Sequence, residues 1–145
     1  MIALIQRVTQ ARVDVDNETV AAIGPGMLAL VAVQPDDSPA RADRLLDRLL
    51  GYRIFEDHSG RMNRSLTDTA GALLLVSQFT LAADTRQGMR AGFATAAPPD
   101  LGRQLFEHLA AAARTRHAVV AVGRFGAHMQ VTLTNDGPVT FWLQA

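Results

Sequence analysis

Two strand-like runs that each break off into hydroxyls, amides and a turn constrain this chain more than any other feature. Ala72-Leu73-Leu74-Leu75-Val76 gives way to Ser77-Gln78-Phe79-Thr80-Leu81, and Met129-Gln130-Val131-Thr132-Leu133-Thr134 gives way to Asn135-Asp136-Gly137-Pro138-Val139-Thr140. A run of this length bounded by polar and turn residues reads as a strand. Its polar terminus then lies at the rim of a sheet, where side chains and bare backbone are displayed together. Neither segment holds a His, a Cys or a convincing catalytic acid. Chemistry carried there has to rest on backbone dipoles, hydroxyls and the substrate itself.

The rest of the chain surrounds these runs with β-structure and two helices. Residues 2–15 alternate as a strand, with Leu4, Gln6 and Val8 on one side and Ile5 and Arg7 on the other. Asp16-Asn17-Glu18 turns it back into Thr19–Ile23 as a hairpin. Gly24-Pro25-Gly26 breaks that arm, and Met27–Val33 is apolar throughout, as expected of a strand buried on both faces. Ser38-Pro39 opens a helix with an N-cap hydroxyl and a proline at its first position. Leu45, Leu46, Leu49 and Leu50 form its buried stripe, and Gly51 ends it. Tyr52–Phe55 reads as a short strand before the turn Glu56–Gly60. Residues 82–99 form the longest irregular stretch, of a length more often functional than idle. A second helix starts near Asp100, burying Leu101, Leu105, Phe106 and Leu109. Val119–Val122, Met129–Thr134 and Val139–Leu143 close the chain as strands. Residues 1–145 thus read as one α+β domain. It is expected to be a strongly curved, mainly antiparallel sheet or partly closed β-barrel with two main helices on one side.

A chain of 145 residues with 48% hydrophobic and 19% charged residues can bury a sizeable core. No stretch approaches the ~20 apolar residues of a membrane span, and the start MIALIQRVTQ lacks the layout of a signal peptide. Cysteine is absent, which excludes disulfides and thiolate metal sites and points to the cytoplasm. Fourteen basic residues balance fourteen acidic ones, so there is no global field to attract DNA or RNA. All the basic residues are arginines, a side chain suited to bidentate phosphate contacts and to stacking on bases.

Familiar catalytic patterns do not fit. His58, His108, His117 and His128 show no i,i+4 pairing and no zinc-site spacing, so no metal is expected. Ser77 lacks the flanking glycines of a nucleophile elbow, and no histidine can be set beside it from sequence alone. Gly24-Pro25-Gly26 and Gly123-Arg124-Phe125-Gly126 lack the Lys-Ser/Thr of a phosphate loop. Asp36-Asp37 and Glu56-Asp57 read as solvated loop charges. Gly137-Pro138 ends ladder pairing or forces a tight turn, exposing two successive carbonyls, the first unshielded by any side chain. Since an X–Pro bond is cis in only ~5–6% of folded cases, an ordinary turn is the simplest reading of that pair.

Taken together these residues resemble the D-aminoacyl-tRNA deacylase family of bacteria and eukaryotes over essentially the whole chain. The resemblance runs from Ala3-Leu4-Ile5-Gln6-Arg7-Val8 through Arg53-Ile54-Phe55-Glu56-Asp57, Gly60 and Met62-Asn63. It continues in Val76-Ser77-Gln78-Phe79-Thr80-Leu81 and Phe125-Gly126-Ala127-His128-Met129, and ends in Asn135–Thr140. The SQxTL and NxGPVT signatures, both intact and in order, make it specific. It implies a homodimer without cofactor, acting on the acceptor end of aminoacyl-tRNA. In it a cis Gly137-Pro138 peptide enters the partner subunit's active site. Ser77, Gln78, Phe79 and Thr80 would carry the catalytic pocket, Arg7 would hold the Gly-Pro element, and Phe125 and Met129 would line the adenosine pocket. One loop departs from the family: Arg86-Gln87-Gly88-Met89-Arg90-Ala91-Gly92-Phe93 keeps Gly88, Arg90 and Phe93 but has Ala-Gly for the usual Pro-Ser. A more flexible loop is expected there.

A mechanism consistent with that resemblance uses main-chain N–H groups near Phe79-Thr80 for the oxyanion and the terminal ribose 2′-hydroxyl to activate water. The rival gives Thr80 the role of nucleophile. If the Gly137 and Pro138 carbonyls hold the substrate's ammonium, L side chains are excluded by volume, and glycine is accepted with D-residues. Arg86, Arg90, Arg103, Arg114, Arg116 and Arg124 are candidates for the phosphates of tRNA. Two other readings stay open, an esterase using Ser77 or Thr80 and a non-catalytic RNA-end binding module.

Overall fold

The computed structural model describes residues 1–145. The elements in chain order are strands β1 (Ile2–Val15), β2 (Glu18–Ile23) and β3 (Gly26–Ala32), helix α1 (Pro39–Gly51), strands β4 (Phe55–Glu56) and β5 (Met62–Arg64), and the short helix α2 (Leu66–Thr69). Strand β6 (Ala72–Ser77) is followed by a 3₁₀ turn (Phe79–Ala82), helix α3 (Pro99–Arg116), and strands β7 (Val120–Val122) and β8 (Gln130–Gln144). Six strands form one sheet in the order β2-β1-β3-β6-β7, with β8 also paired to β1. The ladders of β1 with β2, β3 and β8 are antiparallel, while β3–β6 and β6–β7 are parallel. No helix is long and apolar enough to cross a membrane.

Alternation along the central strands feeds two separate cores. Met27, Ala29 and Val31 of β3 and Leu73 and Leu75 of β6 pack against Leu45, Leu46 and Leu49 of α1 and Leu105, Phe106 and Leu109 of α3. Leu28, Leu74 and Val76 point the other way, into a barrel interior with Val8, Val13 and Val15 of β1 and Ile23 of β2. Both faces are covered, which is why these two strands read as unbroken apolar runs. In β1 the phase slips where Thr9 and Gln10 are both exposed between buried Val8 and Ala11. Odd positions face the helices before that point and the barrel interior after it. The slip coincides with the irregular β1–β8 register at Gln6–Gln10, the bulge that lets one strand bend around a closing barrel.

Local chemistry explains the ends. Asp16 and Asn17 both adopt positive φ, the geometry of a two-residue hairpin turn. The Ser38 hydroxyl accepts the Arg41 N–H to cap α1. Gly26 is obligatory, since a Cβ there would lie 1.9 Å from the Ala72 carbonyl oxygen where β3 meets β6. Three expectations are corrected. Helix α2 was not foreseen, although Ser65 and Asp68 form a reciprocal capping box at its start. Asp37 is buried, paired with the Met1 ammonium and accepting the Gln34 N–H, a burial no local window shows because the ammonium lies 36 positions away in sequence. Residues 130–144 form one strand, not two.

Candidate active site

Ser77 closes β6 opposite Val31 of β3, and the Gln78 N–H donates to the Val31 carbonyl at 2.7 Å. The chain then turns at once, with the Leu81 N–H bonded back to the Gln78 carbonyl at 3.2 Å. The N–H groups of Phe79 and Thr80 precede that first closing bond and have no partner within the turn. They are the free donors that a strand passing into a 3₁₀ turn presents at a sheet rim.

Beside this rim lies a cavity of about 430 Å³. Ser77, Gln78 and Phe79 border it on one side and Phe125 to Met129 on another. Val31, Val33, Phe106 and Val131 supply apolar wall. Two pairs of residues predicted to share a site, Ser77/Gln78 and Phe125/Met129, are thus brought together by the tertiary fold. Phe125 is held from three directions. Its ring lies 5.9 Å from that of Phe106, carries the Arg103 guanidinium at 4.8 Å, and sits over the bare backbone of Gly102, where a Cβ would be 3.5 Å away. Gly123 makes room for Met129, since a Cβ there would fall 2.9 Å from its sulfur.

Thr80 is exposed just beyond the cavity lining, and its hydroxyl oxygen accepts a hydrogen bond from the Gln78 amide at 2.5 Å. An amide donor cannot take a proton, so this contact orients the hydroxyl without activating it. Phe79 is 59% exposed and packs against Phe93 with ring centroids 5.1 Å apart. The loop that carries Phe93 is closed at its base by reciprocal Asp84–Gly92 backbone bonds at 2.8 and 2.9 Å. Arg86 clasps Asp84 through Nε and Nη2, which holds that carboxyl far below the usual carboxylate range.

Gly137 and Pro138 stand elsewhere. Asn135 pairs with Val8 and Thr140 with Gln6, so residues 136–139 bulge out of β8 without partners on β1. The Gly137–Pro138 bond is cis. Arg7, the β1 residue opposite the bulge, is buried and donates through Nε to the Asp136 carbonyl and through Nη1 to the Ile54 carbonyl, both at 2.8 Å. Asn135 braces the bulge from within: its Oδ1 accepts the Val139 N–H at 2.7 Å and its Nδ2 donates to the Val139 carbonyl at 3.1 Å. A Cβ on Gly137 would lie 2.4 Å from the Val139 nitrogen, so only glycine fits the bulge as built. The Gly-Pro pair lines no part of the cavity and is separated from Ser77 by the strand sequence β8-β1-β3-β6.

His128, a histidine without metal-site spacing in the sequence, lines the cavity and makes no hydrogen bond to Ser77 or Thr80. Its place in the Phe125–Met129 segment was the signal available. Phe106 was assigned to a helix core, and it is also cavity wall.

The sequence is 67% identical over 144 residues to a D-aminoacyl-tRNA deacylase of Thioalkalivibrio sulfidiphilus, covering 99% of this chain and 97% of that one. It is 64% identical over 144 residues to a D-aminoacyl-tRNA deacylase of Pseudomonas entomophila, covering 99% of both. A solved structure described as a c-Myc DNA unwinding element binding protein matches with a TM-score of 0.95 and 34% identity, over 100% of this chain and 99% of that one. Another, of a probable eukaryotic D-amino acid tRNA deacylase, matches in fold with a TM-score of 0.88 and 18% identity, over 99% and 98% of the two chains. The family model described as D-Tyr-tRNA(Tyr) deacylase matches residues 4–144, and with these identities the chain belongs to that family.

Proposed function

We propose that the protein hydrolyses the ester of D-aminoacyl-tRNA in the cytoplasm, releasing the free D-amino acid and tRNA, and that it also accepts glycyl-tRNA mischarged on tRNA-Ala. The observation that carries this reading is the cavity itself. An aromatic and thioether wall (Phe106, Phe125, Met129), suited to a purine, faces a polar rim (Ser77, Gln78) that ends in free main-chain donors. The terminal adenosine lies against Phe125 and Met129, and the ester carbonyl points at the N–H groups of Phe79 and Thr80. Water attacks with the ribose 2′-hydroxyl as its activator.

Selection for handedness falls to the Gly137-Pro138 bulge of a second copy. Within one chain that bulge stands three strand steps from the rim, so a site that uses both elements takes one from each subunit of a homodimer. The rigid bracing by Arg7 and Asn135 supports this role, because excluding an L side chain requires a wall that does not yield.

A serine esterase is the second reading, favoured by Ser77 and His128 sharing the cavity. Matched D- and L-aminoacyl-tRNA and glycyl-tRNA separate the two. Loss of the D and glycyl esters with the L ester spared is the expected outcome, and equal loss of D and L esters would establish the esterase. If none is cleaved, the non-catalytic module remains. Thr80→Ala is expected to retain near-normal turnover. Loss approaching the ~10⁶-fold effect of deleting a true nucleophile would give Thr80 that role instead.

A further inference from the structure

A second groove, of about 300 Å³, lies directly behind the cavity wall, sharing Phe106 and Phe125 with it. Arg103, Glu107, Ala110 and Arg114 form one face of α3 at i, i+4, i+7 and i+11, and Arg124 approaches from the segment after β7. The charges around it are unevenly satisfied. Arg103 pairs with Glu107 at 3.6 Å and stacks on Phe125, so the one carboxylate in the groove is already engaged. Arg114 and Arg124 are exposed and make no ion pair. Of the other candidates for a phosphate, Arg86 is clasped to Asp84 and Arg116 bonds Asp47 at 2.7 Å, while Arg90 is exposed but lines no part of this groove. In a chain of zero net charge, this is a local cationic trough that begins where the aromatic wall ends.

We propose that this groove binds the phosphodiester backbone immediately 5′ of the terminal nucleoside, with Arg114 and Arg124 as the phosphate contacts and Arg103 as the hinge between base wall and backbone. The assignment rests on the reading that the cavity takes the terminal adenosine. A polynucleotide leaving the cavity past Phe125 meets Arg103 first, and then the two unpaired guanidinium groups. Guanidinium suits this task, since its planar fork matches two phosphate oxygens at once.

The test uses the full chain and a 5′-labelled single-stranded RNA with the uncharged 3′ end of a tRNA, followed by fluorescence anisotropy. Arg114→Gln and Arg124→Gln should each weaken binding about tenfold, as expected on losing one charge-assisted contact. Each should also lower the slope of log Kd against log salt by ~0.7, the share of one single-strand phosphate. Arg44→Gln, on the exposed face of α1, removes the same charge and should bind as the wild type does. Groove variants that keep wild-type affinity and salt slope would overturn the proposal. Competition by adenosine alone tests the cavity separately. If adenosine fails to displace the RNA, the nucleoside reading falls while a loss in the arginine variants still supports the groove.

Discussion

Gly137 shows how much a single missing side chain can decide. A Cβ there would overlap the nitrogen and Cγ2 of Val139 at 2.4 and 2.7 Å, and no rotamer change relieves a clash with main chain. Gly137→Ala is therefore expected to reshape the bulge while leaving both cores intact. A displacement of ~1 Å in a positioning element can cost about 10²-fold in rate. We expect a loss of that order in D-aminoacyl ester hydrolysis with an unchanged circular dichroism spectrum. Wild-type turnover by this variant would remove the bulge from the site. The glycine and proline were legible in the sequence as a turn exposing two carbonyls. That Arg7 holds them followed only from the family resemblance, since no local pattern links residues so far apart, and its second anchor on the Ile54 carbonyl was not legible at all.

Among the elements, β1 has the most varied work. Its first half serves the helix-facing core, its second half the barrel interior, and Arg7 near the slip between them ties β8 to the segment before β4. Arg7→Ala would strand the Ile54 carbonyl in a buried position without its donor. An unsatisfied buried acceptor costs about 1–3 kcal/mol, so the urea midpoint should fall accordingly, with an unchanged m-value. Arg7→Lys should rescue little of it, since one ammonium on a flexible stem does not reproduce a fork that spans two carbonyls. Equal stability of wild type and Arg7→Ala would show that water replaces the guanidinium. Most elements were readable from pattern alone: the hairpin of β1 and β2, the buried runs of β3 and β6, and both long helices. The single strand β8 was not. A Gly-Pro pair signals interruption, and only pairing with β1 on both sides of the bulge shows that the strand resumes.

At the scale of the whole molecule, the separation of the Gly-Pro bulge from the Ser77 rim leads to a complementation experiment. On the proposed homodimer, Gly137→Ala spoils the bulge and Phe125→Arg spoils the pocket, so each variant alone should retain little activity. Mixing the two under conditions that exchange subunits forms heterodimers in which one pocket faces an intact bulge. In a two-fold symmetric dimer about a quarter of wild-type activity should return. No recovery, with heterodimers verified by mass, would place both elements in a single chain or deny the bulge its role.

Sequence alone determined the secondary-structure pattern, the α+β class, the polar strand end at Ser77–Thr80 and the Gly-Pro interruption, because each is written in local spacing and residue type. Tertiary structure decided what these pieces meet. It set Phe125 and Met129 across a cavity from Ser77 and Gln78, brought His128 into the lining, and placed Arg7 beneath a bulge more than a hundred residues away in sequence. Such contacts depend on strand order and register, which arise from burying both faces of one curved sheet at once, and no local window of residues encodes that constraint.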